Sequence, residues 1–177
     1  MREAAALSDF NMNVIVLSRM NAERLSYTDY SSDKVIISIR TPGDEKAEFD
    51  SNNKTIKDIL YLDFYDISYN SQEVFKGYEP MSDEDAVKIR DFVLKWKGKV
   101  DTIWVHCDAG ISRSAGVAAG ILEALGKDNS YIFDSKMYFP NLLCYRKILN
   151  AFKSKIITTS KLVVCTDPIR VACWLSP

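Results

Sequence analysis

The chain has 177 residues, 47% of them apolar and 27% charged, with a formal net charge of −1. That length suits one domain with a full hydrophobic core and is short for two. The charge balance gives no sign of nucleic acid or a membrane surface as partner, and no apolar run approaches the ~20 residues that span a bilayer.

Residues 1–11 carry acidic groups and too short an apolar stretch for a signal peptide, so they read as an N-terminal extension. Strand-like runs follow at 13–17, 34–39, 59–64 and 102–107, each rich in β-branched or aromatic residues. The segment from Thr41-Pro42-Gly43-Asp44-Glu45 to Asn53 is dense in turn formers and is expected to be exposed. Ser82 ahead of Asp83, Glu84 and Asp85 reads as a helix cap with an acidic first turn; Ala86, Ile89, Phe92, Val93 and Trp96 then recur at helical spacing up to Gly98. Residues 114–125, rich in Ala and Leu, read as a second helix. Pro140-Asn141 opens a third, with Leu142, Tyr145, Ile148, Leu149 and Phe152 along it. This alternation predicts an α/β fold with a central, mostly parallel sheet of four to five strands flanked by helices. The tail, 155–177, contains Ile156-Ile157-Thr158-Thr159 and Leu162-Val163-Val164-Cys165, read as an added edge strand or an extension.

The chemistry concentrates in His106-Cys107-Asp108-Ala109-Gly110-Ile111-Ser112-Arg113-Ser114, between the fourth strand run and the Ala-rich helix. A tight loop from strand to helix start gathers unpaired backbone N–H groups at the positive end of the helix dipole, which makes an anion site. A cysteine there is favoured as the thiolate, the form that attacks phosphorus. Arg113 offers the planar fork that holds two phosphate oxygens, with the amides of Asp108, Ala109, Gly110, Ile111, Ser112 and Arg113 beside it. Gly110 lets the backbone bend close to the anion. Ser114 either donates to the Cys107 sulfur or is a plain helix cap, or does both. His106 is the chain's one histidine, so a histidine-built zinc site is excluded. Any Cys-His or Ser-His-Asp mechanism would need it as base, yet on a strand it points away from Cys107.

His-Cys, five residues, Arg, then Ser or Thr is the signature of the protein tyrosine phosphatase superfamily. From about residue 13 to 152 the chain resembles its small, dual-specificity type. Val14-Ile15-Val16-Leu17-Ser18, Val35-Ile36-Ile37-Ser38-Ile39, Phe64-Tyr65-Asp66-Ile67 and Pro140-Asn141-Leu142-Leu143-Cys144-Tyr145-Arg146 carry the rest of the likeness. The resemblance implies a phosphatase domain over 12–154 that hydrolyses phosphate monoesters through a phosphocysteine on Cys107, without metal or cofactor. It also implies that His106 orders the loop through hydrogen bonds.

The leaving oxygen needs a proton from a carboxylic acid facing the thiolate, and Asp63, Asp66 and Glu73 are the candidates. Asp63 falls inside a strand run. Asp66 falls just past its end, where ligands of parallel sheets bind, and Phe64-Tyr65-Asp66 matches the family's aromatic, one residue, aspartate pattern; Asp66 is favoured. Asp83 and Asp85 are explained as helix charges. Cys144 and Cys165 read as structural, and no spacing supports either as a partner that protects Cys107 by a disulfide.

The expected substrates are phosphorylated protein, phosphotyrosine first and phosphoserine or phosphothreonine next, or a small phosphate ester. Phosphate, sulfate or vanadate are expected as active-site anions. A nucleotide, RNA 5'-end or inositol phosphate is the alternative, although the loop lacks the added lysines of phosphoinositide-directed relatives. A catalytically weak phosphate-binding module, a sulfurtransferase and an arsenate reductase are the remaining rivals. A cytoplasmic monomer is expected, since Cys107 must stay reduced.

Overall fold

The computed structural model describes residues 12–28, 31–68 and 75–162, with side chains as far as Ser154. Four parallel strands, β1 (Asn13–Ser18), β2 (Lys34–Arg40), β3 (Ile56–Asp63) and β4 (Thr102–Cys107), form one sheet in the order β1-β4-β2-β3. The helices are α1 (Arg19–Ser26), α2 (Asp83–Trp96), α3 (Arg113–Ala124), α4 (Ser130–Phe133) and α5 (Leu142–Leu162). Among the described residues no helix is long and apolar enough to cross a membrane.

β4 lies between two neighbours and all six of its residues are buried, which is why it reads as an unbroken apolar run. The two-residue period sends Ile103, Val105 and Cys107 into the main core with Val35, Ile37 and Ile39, against residues of α2, α3 and α5. Ile36, Trp104 and His106 take the other face, where α1 packs on β1 and β4. Helix α2 starts as its sequence predicts: Ser82 Oγ accepts from the Asp85 amide at 3.0 Å, and the Asp85 carboxylate accepts from the Ser82 amide at 3.0 Å.

Several expectations are corrected. The segment between β2 and β3 is not exposed throughout, because it covers the second face of the sheet. Ala47 and Asn53 are buried, Asn53 Nδ2 donates to the Ser26 carbonyl at 2.7 Å, and Phe49 meets His106 edge-on at 5.7 Å. On α5 the buried face runs through Leu143, Cys144, Ile148, Ala151 and Phe152, while Leu142 stands exposed. Ile156-Ile157-Thr158-Thr159 continues α5 rather than forming an edge strand. The β-branched penalty is only tenths of a kcal/mol per residue, too little to stop a helix already nucleated by packing upstream. Residues 1–11 and 163–177, with Cys165 and Cys173, lie outside the described residues, as does Glu73.

Candidate active site

The loop leaves the carboxyl end of β4, beside the ends of β1 and β2, as the parallel topology dictates. The turn from β1 into α1 braces it. The Arg19 amide donates to the Asp108 carbonyl at 3.1 Å, and Gly110 sits at φ 75° directly against the Leu17–Ser18 backbone. A Cβ at Gly110 would lie 2.5 Å from the Ser18 nitrogen, so both the left-handed conformation and the close approach demand glycine.

Cys107 is buried at 3% exposure, and its Sγ lies 3.1 Å from Ser114 Oγ. α3 begins at Arg113, one residue before its expected start, and its N-cap position is Ser112. Ser114 is therefore inside the first turn with its hydroxyl on the sulfur, and the plain-cap alternative falls away. Among the described residues no backbone hydrogen bond is donated by Ala109, Gly110, Ile111, Ser112 or Arg113, so these amides are available to an anion.

The Arg113 side chain is buried. Its Nη1 donates to the Phe64 carbonyl at 2.8 Å, at the end of β3, and Nη2 pairs with the Asp108 carboxylate. Nε is buried and has no hydrogen-bond partner among the described residues.

Of the candidate acids, the two among the described residues, Asp63 and Asp66, are placed differently. Asp63 is held side-on by Arg40, at 2.6 and 2.7 Å, and the guanidinium keeps its carboxyl below the usual carboxylate range. Asp66 lies past β3 and reaches the loop: its Oδ1 accepts from Ser112 Oγ at 2.9 Å and from Asn141 Nδ2 at 2.8 Å. Asn141 also caps α5, its Oδ1 accepting from the amides of Leu143 and Cys144 at 2.9 and 3.2 Å. Gly116 of α3 makes room for it, since a Cβ there would meet the Asn141 carbonyl at 2.3 Å. A cavity of about 570 Å³ opens beside the loop, lined by Asp66, Ser112, Asn141, Phe139, Leu142 and Arg146 among others. Sequence reasoning marked Asn141 as a cap and Ser112 for its amide alone. It had no signal for the contacts both make with Asp66, or for Arg146 at the cavity.

His106 departs from expectation. It is buried on the face opposite Cys107, and neither ring nitrogen has a hydrogen-bond partner among the described residues. Burial dominates and pushes the imidazole down to about 4. The unfolded chain, with a value near 6.5, takes up a proton first as pH falls, so this group's contribution to stability is lost between about pH 6.5 and about 4. Urea unfolding of wild type and His106→Asn across that window is expected to show the wild type losing up to ~1.4 kcal/mol per pH unit relative to the variant. A constant difference would mean that the ring is not buried neutral. Cys144 is buried too, and burial raises its thiol well above the usual range, which suits a structural residue.

No protein-family model matches the sequence, and neither does any curated protein sequence. Solved structures do match. The human tyrosine phosphatase-like serine/threonine/tyrosine-interacting protein superposes with a TM-score of 0.53 at 20% identity, over 83% of this chain and 93% of that one. PTPMT1 superposes with a TM-score of 0.51 at 16% identity, over 84% of this chain and 95% of that one. The chain has the fold of the protein tyrosine phosphatase superfamily, as its loop signature implies.

Proposed function

We propose that the protein is a cysteine-dependent phosphatase acting on phosphate monoesters, with protein phosphotyrosine as its leading substrate. The observation that carries this is the joint placement of Cys107 Sγ on Ser114 Oγ and of a buried Arg113 whose Nε, like the loop amides of residues 109–113, has no partner among the described residues.

In this reading the Cys107 thiolate attacks phosphorus in line, forming an S–P bond as the bond from phosphorus to the leaving oxygen breaks. Arg113 and the loop amides hold the equatorial oxygens as charge spreads over them. Asp66 gives its proton to the departing oxygen. Both donors to Asp66 fall on Oδ1, which leaves Oδ2 to carry that proton. A water then attacks phosphorus, gives a proton to the Asp66 carboxylate, and expels the thiolate, which the Ser114 hydroxyl stabilises. The exposed Phe139 and Leu142 beside the acid suit an aromatic leaving group on a peptide better than a highly charged inositol phosphate.

A panel of phosphotyrosine, phosphoserine and phosphothreonine peptides, nucleotides and inositol phosphates tests the substrate class. The highest kcat/KM is expected on phosphotyrosine peptides, with inhibition by vanadate and no loss in excess EDTA. A clear preference for a nucleotide or inositol phosphate would replace the protein reading, and no turnover of any member would favour a phosphate-binding module.

A further inference from the structure

The Asp108 carboxylate, next to the nucleophile, has no part in the chemistry above. The edge of a guanidinium that carries Nε–H and one Nη2–H takes two oxygens of a single anion. Arg40 uses this edge on Asp63, with Nε to Oδ1 at 2.6 Å and Nη2 to Oδ2 at 2.7 Å. On Arg113 the same edge is divided. Nη2 is paired with Asp108 Oδ2, while Nε is buried without a partner among the described residues. Nη1 is held by the Phe64 carbonyl at 2.8 Å, so this is the edge left to bind a phosphoryl group side-on.

We propose that the Asp108 side chain is a built-in competitor for the phosphate fork of Arg113, a carboxylate that an incoming phosphoryl dianion displaces. The proposal rests on reading the loop as a phosphate site. The exchange has a defined mover: the Asp108 side chain is 42% exposed and the Arg113 side chain 5%. The guanidinium stays where Phe64 holds it, and the carboxylate swings. Its other partner, Thr41 Oγ1, donates to the same Oδ2 at 3.2 Å from β2's side of the loop, giving the displaced group a hydroxyl to keep. Apparent affinity for an anion is lowered by the fraction of molecules whose fork is covered. A ligand offering one oxygen, or a lone carboxylate, gains little over Asp108 itself. A dianion that bonds Nε, Nη2 and the loop amides together gains much more. The competitor lowers every such affinity by the same factor, so that weak anions fall below appreciable occupancy while a phosphoryl dianion still binds.

Calorimetric titration of inorganic phosphate into wild type, Asp108→Asn and Asp108→Ala, with KM and kcat for an aryl phosphate alongside, tests this. Both variants are expected to bind phosphate tighter by on the order of ten-fold, with KM falling in step. Structural damage would not tighten binding. The two substitutions also guard against each other, since the asparagine amide can add a contact that alanine cannot. Unchanged affinity overturns the proposal, and weaker affinity assigns Asp108 to positioning Arg113 instead. Failure of the underlying reading looks different: wild type and both variants would then bind no phosphate, and Arg113→Lys would alter nothing.

Discussion

Cys107→Ser is expected to lose roughly 10⁴-fold or more of the turnover of a simple aryl phosphate while remaining folded. A serine hydroxyl is a poor nucleophile unless a base takes its proton, and among the described residues the hydrogen-bond partner at position 107 is the Ser114 hydroxyl, which is no base. His106, the chain's one histidine, lies on the opposite face of β4, and Ser114 is a second hydroxyl. The oxygen is smaller than the sulfur it replaces, so the packing cost is modest. Arg113 and the loop amides are untouched, and phosphate should still raise the variant's unfolding temperature. A folded Cys107→Ser that keeps substantial activity would end the covalent account.

Asp66→Asn is expected to cost about 10²–10⁴-fold on a phosphotyrosine peptide and much less on an ester of an activated phenol. The asparagine carbonyl still accepts from Ser112 and Asn141, so the substitution removes the proton and spares the geometry. An activated phenolate departs without help, and a tyrosine phenolate does not. Asp63→Asn should instead leave both activities intact and loosen only a partly exposed pair with Arg40, a loss of about 0–1 kcal/mol in stability. If Asp66→Asn spares the peptide activity, Glu73→Gln is the next variant to measure.

The reasons for what was legible in the sequence are physical. The strands and the phosphate loop were readable because each depends on a short contiguous pattern: β4's buried run, the glycine at φ 75°, the cysteine and arginine with five residues between them. The α2 cap was readable for the same reason. Helix α1 was not. Its eight residues, RMNAERLS, form no apolar stripe, and it rests on the Ser18 cap to the Asn21 amide at 3.2 Å and on the chain that packs over it from Glu48 to Asn53. The support of Asp66 joins positions 46 and 75 residues apart, and that of Arg113 reaches back 49 residues to Phe64. Such contacts arise from tertiary closure and leave no periodicity. The edge-strand expectation at Ile156 failed because β-branching is a weak preference beside a helix already packed on α2 and α3.

The central claim is that phosphate passes through sulfur, and trapping that species tests it most directly. With an activated aryl phosphate, Asp66→Asn should form the S–P bond readily yet hydrolyse it slowly, because the base for water is gone. Acid quenching during turnover, followed by intact-mass measurement and peptide mapping, is expected to find a phosphoryl adduct on the peptide that holds Cys107 and none in the Asp66→Asn, Cys107→Ser double variant. Sustained turnover with Cys107 unmodified, or an adduct on any other residue, would contradict the account.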